Sequence, residues 1–322
     1  MIVILPAVCR AGIVNGTVEG WVGYDSNPSL LSKPESSAFA LCKLMLFREF
    51  KFDSPSMDGS LYLEGQFKNY FEMKDNYLIS AGGNLSFPNS GSRWLPFLFA
   101  DISTYIDKEK EEDESNNLSA GAGFDWIANS RLTLGAKYAA TFKDYKEKAI
   151  IEVVVPPEFH NPTPSNPGNP TSPGNAGQQQ QQQPQIITQA ISRDDQIHTG
   201  TVHGTFYFSP EFSGDLAFEI ERCDSSIDEE SNDRTGAILT FSWSPSPDWE
   251  TECRLSWEHI GYDKSDPDMK REDSIWGIGI EIIRYFEQTG LFVKFNRSEN
   301  NGSPDLESYD QTVTQCGIIW SF

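Results

Sequence analysis

The chain contains no long hydrophobic run. No segment approaches the roughly 18 consecutive apolar residues that a transmembrane helix requires, and apolar residues make up only 38% of the sequence. This excludes a helical membrane protein. It does not exclude a membrane β-barrel, because each barrel strand alternates lipid-facing with lumen-facing residues and never produces a continuous apolar stretch.

Positive charge is also scarce. Lys and Arg number 25, against 47 Asp and Glu, and the formal net charge is -22. A chain with this balance repels nucleic acid, so we expect no nucleic-acid partner.

Paired metal-ligand motifs are missing as well. The five cysteines are odd in number, widely separated and without a Cys-x-x-Cys pair, which argues against a zinc site and a disulfide framework. The acidic segments do not match the spacing of an EF-hand calcium loop. We therefore expect no metal and no cofactor.

Segments with period-two alternation recur along the chain. Apolar and polar positions alternate in 60–71 (SLYLEGQFKNYF), and segments 118–127 and 131–142 do the same. They have about 9 to 13 residues, the length of a tilted strand that crosses a bilayer. Further candidates begin near Thr17, Ala38, Tyr77, Trp94, Gly200, Asp215, Gly236, Glu250, Ser274, Gly290 and Gln311. We predict an all-β fold, a closed antiparallel transmembrane β-barrel of about 14 strands.

The connections between these strands alternate in length and chemistry. Those after even-numbered strands are short, for example 129–130 and 287–290, whereas those after odd-numbered strands are mostly long and acidic, for example 107–117 (DKEKEEDESNN) and 224–234 (DSSIDEESNDR). Bacterial barrels have short periplasmic turns and longer extracellular loops. We expect the short turns and both termini at the periplasm and the acidic loops outside.

We predict one barrel domain over residues 14–322. Residues 1–13, which contain a short apolar run, are interpreted as a signal-peptide remnant or an N-terminal tail. Residues 147–196 contain a Pro/Gly/Gln-rich centre that cannot bury enough apolar surface to fold, flanked by the β-prone runs AIIEVVV and QIITQAI. This segment is predicted to be a long extracellular hairpin with a disordered tip.

Aromatic residues concentrate at strand ends, as expected for the girdles at the two membrane interfaces. The predicted periplasmic girdle contains Trp94, Trp126, Trp243, Trp249 and Trp320. The predicted outer girdle contains Trp21, Tyr24, Tyr77, Tyr145 and Trp276.

Two short motifs carry a resemblance to known proteins. The end of the chain, with Gln315, Gly317, Trp320 and Phe322, resembles the β-signal of outer-membrane proteins. This implies that the barrel assembly machinery binds the last strand, which its unpaired edge would allow by β-augmentation. The segment 23–28 (GYDSNP) is similar to the first hairpin of porin-like barrels, including surface lipoprotein assembly modifiers and exopolysaccharide-associated barrels. The same residue types also favour a plain turn.

Charged and polar side chains are predicted to face the lumen. They are Glu64, Lys68, Lys137, His203, Glu219, Glu221, Arg254, Glu258 and Lys294. Such a mixed lining can focus ions or polar solutes, or it can form a salt-bridged ladder that stiffens the wall. No Asn-His-x-Ser pattern of an outer-membrane hydrolase surrounds the histidines, so we expect no enzyme and no catalytic residue.

The expected function is that of a porin-like channel or export conduit for small polar solutes or a polysaccharide. About 14 strands favour a narrow lumen, because eight strands close on packed side chains and 16 leave an aqueous channel. The expected location is the bacterial outer membrane, in contact with its lipid and lipopolysaccharide. One alternative is a non-conducting structural or assembly barrel that presents its extracellular loops to partners. A second is a soluble secreted β-sandwich or adhesin. A periplasmic or cell-surface partner is a separate expectation.

Overall fold

Alternating apolar and polar residues form β-strands through most of the chain. The computed structural model describes residues 9–30, 36–53, 56–88, 92–108, 113–155, 185–263, 271–303 and 308–322. Its strands are β1 (Cys9–Asp25), β2 (Ser37–Asp53), β3 (Ser56–Tyr70), β4 (Asn76–Ser86), β5 (Trp94–Asp107), β6 (Ser115–Asn129), β7 (Leu132–Val155), β8 (Gln185–Ser209), β9 (Phe212–Ser225), β10 (Asn232–Ser246), β11 (Trp249–Tyr262), β12 (Glu272–Phe286), β13 (Thr289–Ser303) and β14 (Tyr309–Ser321). Within these ranges no helix is long and apolar enough to cross a membrane.

The strands form one closed sheet. Each strand pairs antiparallel with its neighbours in sequence, and β1 pairs with β14 from Thr17↔Ser321 to Asp25↔Val313. The predicted closed antiparallel barrel of about 14 strands is therefore confirmed. The β-sandwich alternative is wrong, because a sandwich requires two stacked sheets and this sheet closes on itself.

The barrel begins earlier than the predicted boundary at residue 14. Strand β1 starts at Cys9, which pairs with Phe52, and Ala11 pairs with Phe50. Residues 9–13 therefore belong to the barrel wall and not to a tail. Residues 1–8 lie outside the described residues, and the signal-peptide interpretation stays a prediction.

Strands β7 and β8 are longer than all the others, with 24 and 25 residues. They remain paired through a register shift between Asp144 and Lys148, as far as Val155↔Gln185. The centre of the Pro/Gly/Gln-rich segment, residues 156–184, lies outside the described residues, so its disorder stays a prediction.

The outer face of the wall is apolar. On β12, for example, Trp276, Ile278, Ile280 and Ile282 are all exposed, and each is two residues from the next. Contact of such a surface with water costs about 25 cal/mol per Å² of apolar area, and soluble monomers rarely expose a continuous patch of this kind. In hydrocarbon it is the surface that a barrel requires. The chain is therefore a transmembrane β-barrel.

The aromatic girdles are largely present. At the ends of the strands joined by short turns, Trp94, Trp243, Trp249 and Trp320 are exposed, and Trp126 stacks on Trp94 with ring centroids 5.9 Å apart. At the opposite end, the exposed aromatic residues include Tyr24, Tyr77 and Trp276.

Two residues of the predicted outer girdle face inward instead. Tyr145 is buried on the lumen side of β7, and Trp21 packs edge-on against Phe292 with ring centroids 5.7 Å apart. Both occupy the lumen-facing phase of their strands, and that phase, not their height in the barrel, decides where the side chain points.

The segment 23–28 forms a turn at the rim, as its residue types predict. Asp25, which is 2% exposed, accepts hydrogen bonds from the backbone N–H of Asn27 (3.0 Å) and from Nε2 of Gln311 (3.0 Å). The Nδ2 of Asn27 donates to the carbonyl oxygen of Asp310 (3.1 Å). Since Gln311 and Asp310 belong to β14, this turn fastens the first strand to the last one.

We predict that Asp25→Ala weakens the closure of the barrel. The substitution leaves three donors without their buried acceptor, since Lys68 Nζ also lies 3.9 Å from the carboxylate. Loss of such a buried acceptor costs about 1–3 kcal/mol. The measurement is the temperature at which the compact band on a detergent gel converts to the slower unfolded band. Asp310→Ala is the matched control, because its exposed side chain is not the group that Asn27 contacts. Equal conversion temperatures for the two variants would contradict this role for Asp25.

Candidate functional site: the barrel lumen

The predicted lumen residues lie on the inner face of the wall. On β3, Leu61, Leu63 and Phe67 are exposed on the outer face, so Glu64 and Lys68 occupy the inner face. The same alternation places on the inner face Lys137 of β7, His203 of β8, Glu219 and Glu221 of β9, Arg254 and Glu258 of β11, and Lys294 of β13.

Several charged side chains have accessible surface inside the barrel. Lys137 lies in the middle of the inner face, paired with Gly123 on one side and Thr201 on the other, and it is exposed. Arg254 is exposed on the inner face of β11, and the side chain of Lys294 on β13 is 35% exposed. Because the wall is closed, the accessible surface of these side chains faces the interior space of the barrel.

Some of the charges form ion pairs along the wall. Lys43 Nζ lies 3.1 Å from Glu64 Oε2, and Lys294 Nζ lies 3.4 Å from Glu281 Oε2. These pairs join neighbouring strands and correspond to the ladder that is the structural alternative for this lining. Each has a solvent-accessible member, so each contributes about 1 kcal/mol or less to stability.

A side-chain hydrogen bond also reaches across a whole strand. His203 Nε2 of β8 lies 2.9 Å from Asp125 Oδ1 of β6, and Gly135 of the intervening β7 lies directly between them. A Cβ atom at Gly135 would lie 2.4 Å from Asp125 Oδ1 and from His203 Nε2. The contact therefore exists because residue 135 has no side chain.

Three carboxylates on β9 are held by threonines of β8. Thr199 Oγ1 donates to Glu221 Oε2 (3.0 Å), and Thr201 Oγ1 donates to Glu219 Oε2 (3.3 Å). The hydroxyl of Thr205 donates in the same way to Asp215. Asp215 was not among the predicted lumen residues, although it shares the sequence phase of Glu219 and Glu221 and could have been found by extending the alternation.

Arg234 is a second lumen residue that the sequence reasoning missed. It lies on the inner face of β10, with Nη1 3.7 Å from Glu221 Oε1. Its Nε lies 3.1 Å from Glu258 Oε1, an ion-pair distance without hydrogen-bond geometry. The signal was again the alternation, here in NDRTGAIL at the start of β10.

Lys68 is placed among aromatic rings and not among the other lumen charges. Its Nζ lies 4.2 Å from the ring centroid of Phe39 and 4.3 Å from that of Tyr70. Phe39 and Tyr70 are buried together with Leu41, and Trp21, Met73 and Val313 pack against them. This aromatic cluster covers the inner face of β1–β3 and β14 in the half of the barrel away from the short turns. Lys68 belongs to this cluster.

Ion pairs and a tyrosine line the wall across from the aromatic cluster, at the end of the barrel away from the short turns. Glu230, in the short 3₁₀ turn between β9 and β10, lies 3.7 Å from Arg193 and 3.6 Å from Arg271. Tyr145 donates from its hydroxyl to Asp195 (3.0 Å), which also binds Arg193. These contacts fix the turn against the rim on β8 and β12.

The C-terminal motif closes the wall. The backbones of Phe322 and Gly16 exchange two hydrogen bonds of 2.9 Å. Gly317 faces inward beside Trp21, where a Cβ atom would lie 2.4 Å from Trp21 Cβ. Trp320 is exposed on the outer face, and Gln315 lies on the inner face. In the closed barrel these residues join β14 to β1. That the barrel assembly machinery recognises them stays a prediction.

Metal ligation has no support in the described part of the chain. No group of three or more His, Cys, Asp or Glu side chains there is arranged to hold a metal ion.

We predict that a thiol at position 137 reacts with a reagent from water and that a thiol at position 134 does not. In a background with the five native cysteines replaced, Lys137→Cys places the thiol in the lumen, whereas Leu134→Cys places it on the apolar outer face. A membrane-impermeant maleimide added to the protein in liposomes should label only Lys137→Cys. Equal labelling, or labelling at position 134 alone, would contradict this orientation of β7.

No protein-family model and no curated protein matches this chain. Solved structures match it in fold. The outer-membrane channel DcaP of Acinetobacter baumannii is 11% identical, with 98% of this chain and 97% of that chain covered and a TM-score of 0.52. An anion-selective porin from Comamonas acidovorans is 12% identical over 98% and 100% of the two chains, with a TM-score of 0.47. A bacterial polysaccharide outer-membrane secretin is 10% identical over 96% and 98%, with a TM-score of 0.49.

The likeness to DcaP concerns the fold alone. The structure of the barrel wall in this chain agrees with that fold. An even number of antiparallel strands closes into a barrel, and an apolar belt with aromatic residues near both of its ends surrounds it. These are the features of single-chain barrels in the bacterial outer membrane. In fold, the chain is an outer-membrane β-barrel.

Proposed function

We propose that the chain is a passive, porin-like channel for small polar solutes in the bacterial outer membrane. The observation that carries this proposal is the solvent exposure of Lys137 and Arg254 on the inner face of a closed wall. Charged side chains remain hydrated only where water is present, because burial of an unpaired charge costs several kcal/mol. A hydrated lumen inside an apolar belt is the basic requirement for diffusion of polar solutes across a membrane.

The chemistry of the lining agrees with polar cargo. Hydroxyl and amide groups follow the inner face beside the charges, among them Asn117, Ser119 and Thr199. Such groups replace part of the hydration shell of a passing solute. A polysaccharide is a larger solute of similar chemistry, and its export through this barrel rests on the resemblance of segment 23–28 to exopolysaccharide-associated proteins.

The partners proposed for this channel follow from its surfaces. Outer-membrane lipid and lipopolysaccharide contact the apolar belt, and the barrel assembly machinery binds β14 before β1 pairs with it. No catalytic role is proposed for any residue.

A second candidate function is a barrel that presents its tallest hairpin to a cell-surface partner and does not conduct. The observation that favours it is the length of β7 and β8, which continue past the neighbouring strands to Val155↔Gln185. The same barrel wall is compatible with both functions. A measurement of conductance distinguishes them.

We predict discrete conductance steps from the folded protein in a planar lipid bilayer. In the cysteine-replaced background, a bulky water-soluble thiol reagent should reduce the step size of Lys137→Cys, because the adduct occupies the lumen. The same reagent should leave Leu134→Cys unchanged. Protein boiled before reconstitution is the control for contaminating activity.

Failure of this experiment has a clear meaning. If protein that migrates as a compact, heat-modifiable band never produces conductance steps, the channel proposal is wrong. The non-conducting barrel with its tall hairpin would then be the better account.

A further inference from the structure

We propose that the lumen selects for cations. This inference rests on the channel proposed above and adds the charge class of its solutes. It is a statement about the electrostatic field along the whole lumen and does not require a bound ion at any one position.

Acidic side chains outnumber basic ones on the inner face between the two rims. The carboxylates are Glu19, Glu64, Asp101, Asp125, Asp215, Glu219, Glu221, Glu252, Glu258 and Glu281, and the permanent cations are Lys43, Lys68, Lys137, Lys143, Arg234, Arg254 and Lys294. Two of these cations, Lys43 and Lys294, are paired with Glu64 and Glu281. The pairs cancel, and an excess of negative charge remains on the other positions.

The carboxylates of β9 form a column along the direction of transport. Asp215, Glu219 and Glu221 lie on one face of one strand, and with a rise of about 3.3 Å per residue they extend over roughly 20 Å of that strand. Because barrel strands are tilted by about 40°, this corresponds to roughly 15 Å along the membrane normal, about half of a hydrocarbon core about 30 Å thick. A solute that crosses the membrane along this wall therefore passes negative charge for about half of its path.

The partners of this column leave its charge in place. Asp215 and Glu219 accept hydrogen bonds from the neutral hydroxyls of Thr205 and Thr201. Among the described residues, no Lys, Arg or His nitrogen lies within ion-pair distance of either carboxylate. A hydroxyl donor orients a carboxylate and stabilises its charged form without adding an opposite charge.

At the Glu221 end of the column, the guanidinium of Arg234 is shared between two carboxylates. Arg234 lies within ion-pair distance of both Glu221 and Glu258. Glu219 pairs through the backbone with Gly236, which also pairs with Glu258, so a residue without a side chain separates these two acids. The local balance is three carboxylates to one cation.

The opposite side of the lumen reinforces the asymmetry. In the half of the barrel away from the short turns, the inner faces of β1–β3 and β14 are covered by the aromatic cluster around Phe39 and Tyr70. This apolar surface offers a hydrated solute less than the wall that carries the carboxylates of β9 does.

The expected effect is large enough to measure. A mean lumen potential of about one kT in magnitude, small for a charged cleft with low-dielectric walls, would favour monovalent cations over anions by about sevenfold. Salt screens this potential, with a Debye length of about 10 Å at 0.1 M, so selectivity should weaken as ionic strength rises.

The test is the reversal potential of the folded protein in a planar bilayer with a KCl gradient. We expect the sign that indicates K⁺ permeation, with a K⁺ to Cl⁻ permeability ratio well above 1. The double variant Asp215→Asn with Glu219→Gln should lower this ratio by about twofold or more, because it removes two unpaired charges. Lys137→Gln should raise it.

A matched double variant controls for net charge. Glu299→Gln with Asp310→Asn makes the same change in charge at two paired positions whose side chains point away from the lumen on β13 and β14. This variant should leave the permeability ratio unchanged. Heat-modifiable migration of each variant establishes that the barrel has folded.

Two results would overturn the inference while the channel stands. One is a wild-type channel with discrete steps and a K⁺ to Cl⁻ ratio of 1 or below. The other is a lumen double variant that shifts the ratio no more than the outer control does. Folded protein without any conductance would instead overturn the channel itself, and the inference with it.

Discussion

The structure depends on the backbone pairing between β1 and β14. Inside a bilayer every backbone N–H and C=O group must be satisfied within the protein, and an open sheet edge leaves a row of them unpaired. The antiparallel register from Thr17↔Ser321 to Asp25↔Val313 removes both edges at once. The C-terminal motif and the rim turn at Asp25 both act at this junction. The glycines that face them provide room for close approach, Gly16 for the ring of Phe322 and Gly317 for the side chain of Trp21.

Closure gives the alternation of side chains its function. In an open sheet, the two faces of β9 would both meet water or a packed layer. In the closed wall, Leu216, Phe218 and Ile220 lie on the apolar outer face, while Asp215 and Glu219 lie on the inner face. The same strand therefore contributes to the apolar belt and to the charged lining. The proposed channel and its proposed preference for cations both follow from this separation.

The places where sequence reasoning failed have a common cause. Period-two alternation assigns a face correctly once the phase of a strand is known, and the nine predicted lumen residues were assigned in this way, whereas Asp215 and Arg234 were missed because the alternation was not followed along β9 and β10. Trp21 and Tyr145 were assigned to a girdle because of their chemistry and height, against the phase of their own strands. Lys68 was assigned the correct face, but its contacts with Phe39 and Tyr70 come from neighbouring positions and from cross-strand packing that no single segment encodes.

The sequence by itself determined the approximate number of strands, the face of most side chains and the acidic balance of the chain. These properties are local or additive, because they depend on residues a few positions apart or on a sum over all of them. Only the tertiary structure decided which charges meet. The contact of His203 with Asp125 across Gly135, and the sharing of Arg234 by Glu221 and Glu258, depend on the registers of several strands. A shift of one residue in any of these registers would move one partner to the lipid face. Register is set by the whole closed sheet, so it could not be deduced from one strand at a time.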